Sequence, residues 1–309
     1  MDSRRALDSQ AYGLMVVFCL LLGFQQVALK AVADDIAPVL QIALRSGVGA
    51  ILLALLMLLK KERWSFADNN WKPGILIGIL FSLEYVFVGE ALRYTTAGHT
   101  VVFLYTSPVV AALGLHFLVA SERMTALQWV GITLAFAGIF VAFIGDTPDT
   151  QHAPNVVLGD IYALLSGVAW GLTTVVIRTT SLAKLSASQT LMYQLVAAFI
   201  LLLLAAYNMD QFYFNPTPTA LAGLGFQAIG VSFIAFLIWF WLIRHYQASR
   251  IGVLSFMTPI LGVFMGAWLL DEALDIAFLV GSVLVIVGLI LVTGHAWIKQ
   301  RVQARQLAD

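Results

Sequence analysis

"RYTTAGHTVVFLYTSP" (residues 93–108) is written again as "RHYQASRIGVLSFMTP" (residues 244–259). Each copy opens on an arginine, passes through polar residues into an apolar stretch, and reaches a proline 15 residues later. An acidic residue follows at the end of each span, Glu122 and Glu272, 150 positions apart. Gly131 and Gly138 match Gly281 and Gly288 at the same offset. Nearer the start, "GFQQVALK" (23–30) lies over "GLTTVVIR" (171–178) at an offset of 148. Five landmarks in one order at a near-constant offset make an internal repeat of about half the chain. Matched prolines and glycines are not a by-product of shared hydrophobicity.

The repeat is written in apolar letters. Of 309 residues, 61% are hydrophobic and 11% charged, with a mean hydropathy of +0.90. Soluble domains carry about 25% charged residues, so the chain falls in the membrane class. Its formal net charge is zero, which gives no basic footprint for nucleic acid. The single cysteine, Cys19, has no partner for an intramolecular disulfide. No HExxH, Walker or GxSxG motif occurs, so neither metal, cofactor nor catalysis is expected and transport energy must come from a gradient or downhill flux. "GLGFQA" (223–228) matches a dinucleotide fingerprint in letters alone, because it sits in a membrane run with no βαβ context.

A membrane helix needs roughly 20 mostly apolar residues. Ten candidates meet this: 11–31, 38–59, 73–92, 98–120, 126–144, 157–179, 187–207, 219–243, 250–270 and 276–297. The first reads as an uncleaved span rather than a signal peptide. With the N-terminus placed in the cytoplasm, 14 cations fall in inner segments: Arg4, Arg5, Lys60, Lys61, Arg63, Lys72, Arg123, Arg178, Lys184, Arg244, Arg250, Lys299, Arg301 and Arg305. Only Lys30 and Arg93 fall outside, and Arg45 is embedded. The positive-inside rule therefore supports both the count and cytoplasmic termini. Five spans per half is an odd number, so residues 151–309 enter the membrane from the side opposite to residues 1–150. The expected fold is all-α: ten transmembrane helices as two inverted five-helix repeats around a central cavity, a recurrent plan of secondary transporters.

This size and plan resemble the drug/metabolite transporter superfamily, EamA-type. "SPVVAALGLHFLVASERMTALQWVGITLAFAGI" (107–139) is similar to the first-half pattern and "TPILGVFMGAWLLDEALDIAFLVGSVLVIVGL" (258–289) to the second. The resemblance implies a helical carrier of the inner membrane that moves small metabolites outward, with amino-acid exporters, including aromatic ones, as the nearest comparison. An uptake or exchange permease, a non-transporting sensor and an intramembrane enzyme are the rival readings. The scattered histidines do not make an enzyme site.

Candidate site residues follow from depth and chemistry. Pro108 and Pro259 each remove a backbone hydrogen bond and clash with a carbonyl four residues back, that of Leu104 or Ser255. They are expected to gate, or else to be packing kinks. Glu84 lies near the centre of the third span and Arg45 in the second. A membrane-embedded charge faces the bundle interior or a wet cavity. Glu84 is read either as a site for a substrate ammonium or coupling proton, or as half of a structural ion pair with Arg45 or another cation. Gln25, Tyr85, His99, Phe103, Trp170, Thr173 and Tyr193 complete the expected substrate-binding set; Tyr105 and Trp239 also lie deep in spans. Aromatic rings clasp an apolar side chain and attract an ammonium. His99, Phe103 and Ser107 fall on one face of a continuous helix. Of the adjacent pairs Gln25/Gln26 and Thr173/Thr174, only one member each is expected to look into a cavity. Glu90 and Arg93 are expected at the solvated interface, and His116 at a packing position. Gly74/Gly78, Gly167/Gly171 and Gly262/Gly266 read as close-packing pairs. The expected partners are a small-molecule substrate and the bilayer, with a monomer as the unit.

Overall fold

A computed structural model describes residues 8–62, 69–120, 123–144, 154–246 and 248–306. Glu122, Arg4, Arg5 and Arg63 lie outside these residues, as do the side chains of Arg244, Arg250, Lys299, Arg301 and Arg305. Among the described residues nine helices are long and apolar enough to cross a membrane, and a tenth apolar helix covers Ala126–Ala142. The first half holds α1 (Ser9–Ala31), α2 (Pro38–Leu59), α3 (Trp71–Tyr94), a fourth span in two pieces, α4 (Ala97–Leu104) and α5 (Ser107–Leu118), and α6 (Ala126–Ile144). The second half holds α7 (Val156–Thr179) and α8 (Ala187–Asn208). Its eighth span comprises α9 (Pro218–Gly225), a π segment (Phe226–Ala235) and α10 (Phe236–His245). The ninth comprises α11 (Ala248–Leu254) and α12 (Met257–Leu269), and the tenth is α13 (Ile276–Gln306).

Local chemistry sets these boundaries. Asp8, Thr96, Asn155, Ser186 and Thr217 each accept a backbone N–H of the first turn that follows, satisfying donors that a helix start leaves orphaned. Asp8 also accepts the Tyr246 hydroxyl at 2.7 Å, and the Ala11 amide together with that hydroxyl holds its carboxyl below the ordinary value. The fourth and ninth spans break where the prolines demand it. Tyr105 and Thr106 separate α4 from α5, and Ser255 and Phe256 separate α11 from α12. The Thr106 hydroxyl donates to the Phe103 carbonyl at 2.7 Å, and the Ser255 hydroxyl to the Gly252 carbonyl at 2.7 Å. Polar backbone freed inside a membrane is tolerated only when such partners take it up.

The packing repeats as the sequence does. α6 lies on α13, α2 on α8 and α4 on α12; α1 packs on α12 as α7 packs on α5, and α3 meets α8 as the π segment meets α2. Exchanging the halves maps these contacts onto one another, as two inverted repeats produce, with one exception: the counterpart of α4–α12, α5–α11, is not packed in the same way. At the α6–α13 contact the matched glycines face one another. A Cβ on Gly131 would lie 2.7 Å from the Gly288 carbonyl oxygen, and one on Gly138 or Gly281 would lie 2.6 Å from the other's carbonyl oxygen. The four landmarks of the repeat are thus among the points where the two halves approach backbone to backbone, as Gly159, Gly167 and Gly171 also do. Outward faces stay apolar, with Ile51, Leu55, Phe136 and Val283 exposed to what is lipid in the cell.

Gly138→Ala forces a carbon against that carbonyl, an overpacking cost of about 1–3 kcal/mol. Its thermal midpoint in detergent is expected to fall by several degrees. Gly13→Ala, where a Cβ meets nothing within 4 Å, should not lower it. Equal midpoints for the two variants would remove the glycine contact as the seam between halves.

Candidate functional site

A cavity of about 550 Å³ lies between the halves, walled by α1, α2, α3, the broken fourth span, α7, α8 and the eighth span. Its lining holds one guanidinium, Arg45, and one carboxylate, Glu84, among the aromatic rings of Phe18, Phe81, Tyr85, Tyr105, Trp170, Phe236 and Trp239. Ile177, Gln194, Phe236 and Trp239 also border a second cavity of about 590 Å³, lined further by Leu115, Val119, Arg178, Leu182 and Ala187. Those residues lie at the face of the bundle where α1 begins. The two cavities adjoin on that side.

The polar wall is held by a relay. Arg45 Nη1 donates to Gln227 Oε1 at 2.7 Å, and Gln227 Nε2 donates to the Gln25 carbonyl at 2.7 Å. The guanidinium carbon stands 4.7 Å over the Tyr85 ring centre, a cation–π distance. The π segment begins at Phe226 and carries Gln227 on its first turn, which joins the second, eighth and first spans. Glu84 takes no part in the relay. It is 4% exposed, and its Oε2 is buried without a hydrogen-bond partner. No hydrogen bond joins Glu84 to Arg45, whose guanidinium is engaged by Gln227 and Tyr85 while its charge still acts on the carboxyl.

The opposite face, which carries Lys30, is shut by a second network. Glu272, on the loop after α12, accepts the Ala97 N–H at 2.6 Å and the Gly98 N–H at 3.1 Å. The Thr96 side chain accepts the His99 N–H at 3.0 Å, so the first three donors of α4 are all taken. An anion at a helix N-terminus gains from both orphan donors and dipole. Lys30 Nζ stands 3.8 Å from Glu272 Oε1 and also donates to the Thr95 carbonyl. The Thr95 hydroxyl donates to Asp160 Oδ1 at 2.8 Å, His99 Nδ1 lies 2.9 Å from Asp160 Oδ2, and the His99 ring stacks on Phe278 at 3.7 Å. Gly266 leaves the room in which the Glu272 carboxylate sits. One carboxylate, one lysine and one histidine–aspartate pair thus join the first, fourth, sixth, ninth and tenth spans.

Of the expected substrate residues, the structure brings Gln25, Glu84, Tyr85, Trp170 and Thr173 together at the cavity, with Pro108 at its edge and Tyr105 and Trp239 beside them. It does not bring His99, Phe103 or Tyr193 there. His99 belongs to the Lys30-face network. Phe103 is fully buried against His99, with ring centres 6.3 Å apart. Their alignment with Ser107 assumed a continuous helix, and the break at Tyr105–Thr106 turns Ser107 onto the cavity without them. The Tyr193 ring instead covers Gly74, at 2.8 Å from where a Cβ would stand. Pro259 is buried within α12, outside the lining. Both members of each adjacent pair, Gln25/Gln26 and Thr173/Thr174, line the wall, because the cavity is wide enough to take side chains about 100° apart on one helix. Glu90 is buried, not solvated: Arg93 holds it at 3.0 Å and Gln211 donates to it. His116 accepts the Met124 N–H at 2.9 Å and fastens the α5–α6 corner. Sequence reasoning missed Gln227 and Asp160, which carry no motif; mid-span polarity alone could have drawn attention to them.

Ten apolar helices among the described residues, in two inverted halves around a mid-depth pocket with a charged network across its Lys30 side, have the plan of a membrane transporter. The chain belongs to the EamA-like transporter family, whose model matches residues 9–144 and 157–294. It is 24% identical over 281 residues to "Uncharacterized transporter YoaV" of Bacillus subtilis (strain 168), covering 89% of this chain and 93% of that one. It is 27% identical over 187 residues to "Probable amino-acid metabolite efflux pump" of Escherichia coli (strain K12), covering 58% and 62%. A solved crystal structure shares the fold at a TM-score of 0.63 and 20% identity, over 92% of this chain and 97% of that one.

Glu272→Gln keeps the side chain's shape but loses the charge and one acceptor. In a Cys19→Ala background, a cysteine at Thr96 is expected to react several-fold faster with a membrane-impermeant maleimide once Glu272 is replaced. An unchanged rate would mean that this carboxylate does not hold the Lys30 face shut.

Proposed function

We propose that the protein exports small metabolites, amino acids including aromatic ones, across the inner membrane by alternating access. Both termini face the cytoplasm, and each chain works as a monomer because it holds both halves of one cavity. On this orientation the conformer is open inward and sealed outward. The carrying observation is the mid-depth cavity itself, with an unpartnered carboxylate and a guanidinium set among aromatic rings. The name of the Escherichia coli (strain K12) relative points the same way.

Alternating access assigns the parts as follows. Substrate enters from the cytoplasm past Arg178 and Leu182, and its side chain stacks among Trp170, Tyr85 and Trp239. Gln25 and Thr173 add polar contacts, and Glu84 receives the ammonium group. Export requires the Glu272 network to open while the inner vestibule closes. The breaks before Pro108 and Pro259 are the hinges: α4 and α12 pack together on the outer side, whereas α5 and α11 each lie against α13.

Proteoliposome flux over a panel of amino acids, nucleobases and sugars tests this. Transport or counterflow of an amino acid is expected, loaded on one side at a time to give direction. Trp170→Ala and Glu84→Gln, in correctly folded protein, should each cut it about tenfold, the worth of one charged hydrogen bond or ring contact. No amino-acid flux in either direction would overturn the substrate reading, and normal flux in both variants would overturn the site.

A further inference from the structure

Resting on the amino-acid reading, we propose that Arg45 and Glu84 are two separate poles that read the α-carboxylate and the α-ammonium of a zwitterion. Both side chains line one cavity and both are nearly fully buried, at 3% and 4% exposure. A buried cation and a buried anion on neighbouring spans ordinarily close into a hydrogen-bonded pair. Here no hydrogen bond joins them, although the Arg45 charge stands near enough to act on Glu84. Arg45 is turned to Gln227 and over the ring of Tyr85, the residue next to Glu84, while Glu84 Oε2 has no partner.

The chemistry of each pole follows from its unmet bonds. A guanidinium carries five donors in a fixed fork that suits a carboxylate; Gln227 takes one, the Tyr85 side chain meets another, and the two fix the fork's position. An isolated carboxylate in a dry site is costly until a cation meets it. A zwitterion meets both poles and brings no net charge into a wall whose own two charges sum to zero. A bare amine leaves Arg45 without its anion. A bare acid leaves Glu84 unmet and adds a second negative charge beside it. Sites that hydrogen-bond a substrate group reject analogues lacking it, because their own buried groups are then left unpaired. Gln227 acts through Arg45 and is a positioning residue, itself anchored on the Gln25 carbonyl.

The test is competition against labelled L-phenylalanine on the purified full-length protein in nanodiscs, with phenethylamine and 3-phenylpropionate as the analogues lacking one pole. Wild-type protein is expected to bind L-phenylalanine at least about tenfold more tightly than either, the loss of one charge-assisted bond. Arg45→Gln should abolish the preference over phenethylamine alone, and Glu84→Gln the preference over 3-phenylpropionate alone. Should Arg45→Gln fail to fold, Arg45→Lys keeps the charge without the fork and should narrow the first preference only. An analogue that competes as well as L-phenylalanine in wild type overturns the two-pole assignment and leaves the amino-acid carrier standing. So does a variant that shifts all three ligands equally. Wild-type protein that binds none of a panel of amino acids overturns the carrier's substrate reading instead.

Discussion

A polar group in the hydrocarbon region of a membrane has no water to fall back on, and that constraint sorts this protein's polar side chains into three kinds. Ser46, Ser82 and Thr173 return their hydroxyls to their own helix, four residues back. Those bonds are local and commit the chain to nothing beyond a helix. A second kind satisfies itself across spans. Glu272 with the α4 amides and Lys30, and Asp160 with Thr95 and His99, can be complete only when five spans are brought together at one face. The third kind is left incomplete: Glu84 Oε2 and Gln26 Oε1 at the cavity, and Gln41, Asn70, Tyr193, Gln211, Thr258 and Ser282 away from it. Helices and closure follow from one rule applied at two ranges, and Glu84 is the one carboxylate among the described residues that the rule leaves unmet at the cavity.

Much of the fold was legible because the repeat preserves residues that constrain backbone. Pro108 and Pro259 mark breaks, and Gly131, Gly138, Gly281 and Gly288 mark the seam between halves; neither role depends on which side chains surround them. Glu272 was legible as a landmark and not as an actor. Its partners are backbone amides of α4, and a main-chain donor leaves no letter in a sequence. Gln227 was hidden for a different reason. A π segment bonds five residues back in place of four and shifts the face that a helical wheel assigns. His99 and Phe103 were misplaced by the same kind of error, since the wheel that joined them to Ser107 ran through a break. Tyr193 was drawn to the cavity by its depth alone, whereas the Gly74/Gly78 face of α3 was already waiting for a large ring.

The cavity differs from the closed face in more than completeness. Around Glu272 the charges are buried and mutually neutralised, an arrangement with a definite geometry and little tolerance for displacement. Around Arg45 the fixed partner is an amide, Gln227, which holds the guanidinium without cancelling its charge. The choice of a neutral partner keeps a full positive charge available at a low-dielectric wall. Tyr85 contributes similarly, since its ring face and its uncharged hydroxyl meet the cation without bringing a negative charge. The wall is thus built to hold its guanidinium in place with neutral partners.

A carrier also needs its two conformers within a few kcal/mol of one another. Stripping a buried carboxylate of a charged partner costs about 3–5 kcal/mol, so an opening at the Lys30 face has to be offset by contacts formed elsewhere. The repeat supplies a candidate for one side of that exchange. Arg178 occupies in the second half the place that Lys30 holds in the first, and here it borders the open vestibule. The hinges limit the backbone penalty that the exchange adds. Pro108 has no N–H to give to the Leu104 carbonyl, and Pro259 has none for that of Ser255, so each break carries one helical bond fewer than an unbroken helix. What crosses the breaks is short: the Thr106 N–H and hydroxyl reach the Phe103 carbonyl, and the Thr258 N–H reaches that of Ser255. The prolines matter for the bonds they never made: a hinge with few to lose leaves most of the balance between the two faces to the charges at the ends.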